Sequence, residues 1–250
     1  MSRALGRCAE LFTLLLVVTT TAWLVANSWP YFTLAEALPF LVEKGAIALE
    51  SWWKTFFIAH VTGGVVCLAI GPLLIWNVLI LRSGRLHALL GRTYVGLVLL
   101  WGAPAGLVLA TTAKGGILGR GGFVVLGLLW WITTWRGVRA ITSGRTVPHV
   151  AWMARSYAIA TSALSFRVFH LALHAAGVPD RTNYIASIWG SLVVSLVVGE
   201  CLAARAPRLL ATRGPRRRLS RATSRRARSE ISRPSSPPSR EPSPGTGVLP

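Results

Sequence analysis

Six stretches of this chain are predominantly apolar over about 20 residues or more, the length an α-helix needs to cross a bilayer's hydrocarbon layer. They lie at about 9–28, 55–80, 91–112, 121–141, 152–175 and 183–204. Turn and charge signals separate them: Trp29-Pro30, Arg82-Ser83-Gly84-Arg85, Lys114-Gly115-Gly116, Ser143-Gly144-Arg145 and Gly177-Val178-Pro179-Asp180. Hydrocarbon offers the backbone no hydrogen-bonding partner, so such runs must form helices. The expected fold class is all-α, an integral membrane bundle of about six transmembrane helices over residues 1–204. Hydrophobic residues make up 52% of the chain and charged ones 14%, which excludes an ordinary soluble domain.

The net charge of +19 resembles that of a nucleic-acid binder, but its distribution says otherwise. From Arg205 onward there are 12 Arg and 2 Glu, and most of the remaining excess lies in short links between apolar runs. That pattern fits cytoplasmic loops beside anionic lipid. Arg3 and Arg7 precede segment 1; Arg82, Arg85 and Arg92 follow segment 2; Arg136, Arg139, Arg145 and Arg155 surround the link from segment 4 to segment 5. With six spans, all of these share a side with the tail, which predicts that both termini are cytoplasmic. The other side carries Lys44, Lys54, Lys114, Arg120 and Arg181, offset by Glu36, Glu43, Glu50 and Asp180.

Segment 1 also has the basic start of a signal peptide. Its apolar run is long for one, and Glu10 sits where such a start is basic, so a retained helix is expected. Leu34–Leu49 has helical composition and is expected along the outer surface. Residues 205–250, rich in Arg, Ser and Pro, are expected to form a disordered cytoplasmic tail that meets anionic lipid headgroups. Cys8, Cys67 and Cys201 form no CxxC and imply no disulfide framework; Cys8, beside Arg7, is a candidate for palmitoylation.

All five histidines lie in or beside apolar segments: His60, His87, His149, His170 and His174. Imidazoles at such positions call for a polar partner, a ligand or a proton path, and imidazole is a common ligand of metals and of haem iron. The six-span topology sorts them into two layers, His60 with His170 or His174 outside and His87 with His149 inside. Bis-histidine haem b needs two facing imidazoles at one depth, so two sites are permitted. Gly63, Gly64 and Gly91 stand near these histidines and would admit a flat macrocycle. The unremarkable reading makes His87 and His149 interfacial residues and His174 a helix-end residue.

Arg167, His170 and His174 share one helix face. Arg167 lies deep in segment 5, and Glu200, the acid that suits it by type, falls near the other end of segment 6. A haem propionate, lipid phosphate or carboxylate would suit Arg167; bonding to helix carbonyls is the structural alternative. Pro72 and Pro104 lie mid-helix, where they free backbone carbonyls. Trp130, Trp131 and Trp135 mark the inner half of segment 4; an aromatic belt explains Trp135 best, and quinone or haem contact is a lesser reading for the other two.

His60 followed by Gly71-Pro72, then LRSGRLHALLGRTYVG, then HVAWMARSYAIATSALSFR, resembles the predicted membrane proteins grouped as domain of unknown function 2306. The matching positions are His60, Pro72, His87, Gly91, Arg92, Tyr94, His149, Trp152, Met153, Arg155 and Arg167, over about 55–170. The resemblance implies a multi-pass membrane protein and no established activity. A looser similarity is to cytochrome b561-type bundles, which carry histidine-ligated haems in two layers; here segment 4 lacks a histidine.

The leading functional expectation is a b-type haem protein moving electrons across or within the bilayer. Its ligands would be His60 and His149, followed by His87 and His170, with Arg155 and Arg167 neutralising propionates. One alternative is a haem-free carrier or lipid- or metabolite-binding protein, with Arg167 meeting an anion and the histidines relaying protons. Another is a non-catalytic membrane scaffold. The chain has no GxSxG, Walker A, Rossmann or HExxH motif, so a soluble-type hydrolase or nucleotide enzyme has no support and enzymatic activity is open. If the source is bacterial, the plasma membrane is the expected location.

Overall fold

The computed structural model describes residues 39–77 and 83–211 without interruption, together with residues 15, 18–19, 22–23 and 25–33. Side chains are described as far as Pro207. Among the described residues there is no strand, which agrees with the all-α expectation. After a 3-10 turn at Trp29–Thr33 come α1 (Pro39–Lys44), another 3-10 turn at Gly45–Leu49, α2 (Ser51–Trp76) and α3 (Gly84–Ala110). They are followed by α4 (Gly116–Thr142), α5 (Thr146–Ala160), α6 (Ser162–Ala175) and α7 (Asp180–Ala211).

Four helices are long and apolar enough to cross a membrane: α2, α3, α4 and the Asp180–Pro207 part of α7. They correspond to expected segments 2, 3, 4 and 6. Segment 5 differs, because it is two helices that meet at Thr161. The Thr161 hydroxyl donates to the Ala158 carbonyl at 2.7 Å, taking the oxygen that the next helical N–H would use. Ser165 Oγ donates to Ser162 O at 3.2 Å just beyond. Such back-bonding by Thr and Ser loosens a helix, and a count of apolar residues does not register it. Segment 1 is described only in part, and its described residues are helical. The expected tail lies outside the described residues from 212 onward. α7 runs through Arg205 to Ala211, over an Ala-rich stretch of high helix propensity.

Charge divides the bundle into two ends. The ends where α3 and α5 begin and where α4 finishes carry Arg85, Arg92, Arg136, Arg139, Arg145 and Arg155; this is the arginine end. The far end carries Glu43, Lys44, Lys54, Lys114 and Arg120. There α3 turns into α4 through Gly115 and Gly116, with φ of +87° and +65°, conformations that only glycine adopts freely. At the arginine end, Ser83 caps α3, its hydroxyl accepting the Leu86 N–H at 3.3 Å.

The two mid-helix prolines fix how the helices dock. Pro72 cannot donate to Leu68 O, four residues earlier, and the Tyr157 hydroxyl of α5 donates to that oxygen instead at 3.2 Å. Gly71 makes room, since a Cβ there would lie 1.9 Å from the Tyr157 ring. In α3 the backbone widens to π-winding over Leu97–Gly102, with Ala103 N–H bonding back to Val98 O. The next donor in that series would be Pro104, which has no N–H. The Leu99 carbonyl it leaves open accepts from Trp131 Nε1 of α4 at 3.1 Å.

α2 and α3 pack backbone to backbone. A Cβ at Gly63 would lie 2.9 Å from Gly102 Cα, and one at Gly106 would lie 2.7 Å from His60 Nδ1. Small residues that permit such approach are the usual means of helix association in lipid. At the far end Trp53 and Phe57 stack at 5.0 Å between ring centroids, and Phe40 and Tyr31 pack around them.

Candidate functional site

A chain of hydroxyls at the junction of α3, α4 and α5 sets the register of everything nearer the arginine end. Thr134 Oγ1 donates to Trp130 O at 2.8 Å, because a carbonyl only accepts. Ser156 Oγ therefore donates to Thr134 Oγ1 at 2.7 Å, and Tyr94 OH donates to Ser156 Oγ at 2.8 Å. Trp130 Nε1 donates to Tyr94 OH at 3.3 Å, closing the sequence. The four residues are buried, and the one fixed carbonyl dictates the direction of every proton.

Seven residues along a helix is close to two turns, so positions seven apart lie on nearly the same face, about 10 Å apart along the axis. On α3, His87 stands seven residues from Tyr94 towards the arginine end; on α5, His149 stands seven from Ser156 in the same direction. Tyr94 and Ser156 touch, and by this spacing His87 and His149 fall on the faces of α3 and α5 that carry them, about two turns nearer the arginine end. α2 contributes a third group. Asn77 lies seven residues beyond Ile70, which is buried in the same core cluster as Tyr94. Asn77 is itself 2% exposed, and its Nδ2 has no hydrogen-bond partner among the described residues. A buried amide donor without an acceptor costs about 1–3 kcal/mol. Two half-buried imidazoles and this unsatisfied carboxamide thus line the core at the arginine end.

His149 Nδ1 lies 2.9 Å from Gly137 O on α4. The carbonyl can only accept, so Nδ1 carries the proton and the lone pair of the neutral ring is on Nε2. A metal-ligating imidazole is typically oriented in this way.

The other predicted residues lie elsewhere. His60 donates Nδ1–H to Gly102 O at 2.8 Å in the seam between α2 and α3. Gly102 packs against Trp130, and Gly137, the partner of His149, is seven residues further along α4, so His60 and His149 lie about 10 Å apart in depth. His170 donates Nδ1–H to Asn183 Oδ1 at 3.1 Å, stacks on Phe166 and meets Tyr184 edge-on. Asn183 in turn donates to His170 O and accepts from Ser187. No described contact joins His60 to His170, one facing α3 and the other α7. His174 is exposed in the last turn of α6. Gly63 is filled by the backbone of α3, whereas Gly64 and Gly91 have open space around them.

Arg155 forms a two-pronged ion pair with Glu200 of α7, both N···O distances being 2.7 Å, and lies over the Trp152 ring at 4.7 Å. Arg136 approaches the same indole at 5.0 Å. Arg167 is half-buried on α6, and among the described residues no carboxylate pairs with it. Trp130 and Trp131 are bonded within the bundle, and Trp135 is exposed and stacks on Trp131 at 5.7 Å. Among the described residues no group of three or more His, Cys, Asp or Glu is arranged to hold a metal ion. A site with two imidazole ligands is outside that description. Cys67 is buried and Cys201 exposed, both free; Cys8 lies outside the described residues.

Asn77 and the hydroxyl chain were not anticipated from the sequence. The signal for Asn77 was present, a lone amide closing an apolar run beside Trp76. The hydroxyls gave no comparable signal.

A family model described as "Predicted membrane protein (DUF2306)" matches residues 57–203. The match takes in α7 and so runs beyond the motif-bearing stretch 55–170. No curated protein and no solved structure matches the chain.

Proposed function

The chain belongs to the DUF2306 family of predicted membrane proteins, and from that premise we propose that it is a b-type haem protein of the membrane. In this reading His87 and His149 would hold the haem iron and electron transfer would be the activity. The family and the apolar helices make it a multi-pass membrane protein; the haem is the further step. One observation carries it: Asn77, His87 and His149 stand at equivalent seven-residue steps from the mutually buried Ile70, Tyr94 and Ser156.

Two imidazoles entering one junction from separate helices at one level suit bis-histidine ligation. His149 is held in the tautomer that ligation needs by Gly137 O. Asn77 supplies an unsatisfied amide donor for the polar edge of the ring system. Arg85, Arg92 and Arg145 offer cations for propionates at the same end. The haem iron supplies the one-electron chemistry, and the chain sets its orientation, hydration and potential. The excess of arginine supports a cytoplasmic orientation for this end.

The test is a reduced-minus-oxidised visible spectrum of the full chain purified in mild detergent after expression with ample haem precursor. A b-type band near one equivalent per chain is expected. His87→Ala and His149→Ala should each abolish it, and His174→Ala should leave it intact. A folded, monodisperse protein without the band overturns the reading. Loss of the band on His60→Ala or His170→Ala, with retention in His149→Ala, would move the site to the far end.

A further inference from the structure

One indole at the arginine end has two guanidiniums over it. Arg136 of α4 lies 5.0 Å from the centre of the Trp152 ring, and Arg155 of α5 lies 4.7 Å from it. Both are within the distance at which an aromatic face attracts a cation. Glu200 of α7 takes both prongs of Arg155 at 2.7 Å. Two positive charges thus share one ring and one carboxylate, and the excess is carried by Arg136. Arg136 is exposed, with the half-buried indole holding it in place.

That charge stands at the end of an apolar stripe. Val125, Leu128, Ile132 and Trp135 follow at steps of three and four residues, so they lie on one side of α4, and all four are exposed. Arg136 and Arg139, four and seven residues beyond Ile132, continue the same side, and both are exposed. α4 is long and apolar enough to cross a membrane, so this exposed side is the one that meets acyl chains. Leu128 to Arg139 spans about 16 Å, roughly the hydrocarbon depth of one leaflet. Trp135, stacked on Trp131 at 5.7 Å, stands between the apolar residues and the guanidiniums. An indole suits that border between acyl chains and headgroups.

Apolar contact over one leaflet, ended by guanidiniums that can fork onto phosphate oxygens, matches one lipid molecule with a net negative headgroup. Phosphatidylcholine offers the same chains but carries its own cation, and free phosphate offers charge without chains. We propose that the α4 stripe ending in Trp135, Arg136 and Arg139 is a docking site for one anionic phospholipid at the arginine end of the bundle. The site does not rest on the haem reading, whose propionate partners are Arg85, Arg92 and Arg145.

The experiment titrates a phosphatidylglycerol labelled on one acyl chain into the full chain in neutral detergent. Raised salt screens the diffuse attraction of the other arginines. Anisotropy should report saturable binding, displaced by unlabelled phosphatidylglycerol and far less by phosphatidylcholine or inorganic phosphate. Arg136→Gln with Arg139→Gln should weaken binding about twentyfold. Arg217→Gln with Arg218→Gln removes the same charge from the distant basic stretch and should change it less than twofold. Should the first pair not fold, Arg139→Gln alone should weaken binding about fivefold. Equal weakening by the two pairs would reduce the site to net charge and overturn the proposal. So would phosphatidylcholine or inorganic phosphate competing as well as phosphatidylglycerol, or an absence of saturable binding in the parent protein.

Discussion

Two seams hold this bundle together by different means. Between α2 and α3 the contact is bare backbone: Gly63 lies against Gly102, and His60 covers Gly106. Between α3, α4 and α5 it is a line of hydroxyls from Trp130 through Tyr94 and Ser156 to Thr134. In lipid, a hydrogen bond between helices contributes less than its apolar surroundings suggest, because separated helices find other partners. Close packing has no such substitute. The glycine seam should therefore dominate stability, and the hydroxyl seam should dominate register.

The strongest challenge to that contrast is Gly63→Ala. Its Cβ would meet a backbone atom at 2.9 Å, which cannot swing aside as a side chain can. We expect a loss near the top of the roughly 1–3 kcal/mol range for overpacking, read as a lower unfolding midpoint and poorer monodispersity in detergent. A smaller change sharpens the same seam. Gly106→Ala should displace the His60 ring, and adding His60→Ala should recover about 1 kcal/mol, a coupling that a double-mutant cycle measures directly. Additive losses would mean that the imidazole is not what limits the approach. Smaller still is Ser156→Ala, expected to cost about 0.6–1.7 kcal/mol while leaving the bundle assembled. A loss larger than that of Gly63→Ala would reverse the ranking.

The all-helical fold and four of the spans were legible because hydropathy and length decide them locally. The family resemblance was legible as well, in the stretches around His87 and His149. Other features depend on separations the sequence does not display. Tyr94 and Ser156 bond across 62 residues, and nothing in either segment alone says which turn faces which. The same holds for Asn77, whose importance comes from Ile70 and the core that Ile70 joins. The break at Thr161 was hidden for another reason: its cause is a hydroxyl's choice of carbonyl, and an apolar average passes over it. The prolines were the exception. That they free carbonyls could be stated from sequence, and the structure adds that Tyr157 and Trp131 take those oxygens.

That last pairing has a consequence for how the protein is made. Leu68 and Tyr157 are 89 residues apart, and Leu99 and Trp131 are 32 apart. Helices emerge from the ribosome in order, so α2 enters the bilayer with one backbone oxygen unmet and keeps it so until α5 has been synthesised. α3 waits a shorter time for α4. The early bundle therefore has a built-in timer: the earliest of its described spanning helices is completed by a later one, and a chain truncated before Tyr157 should be held by the insertion machinery or degraded.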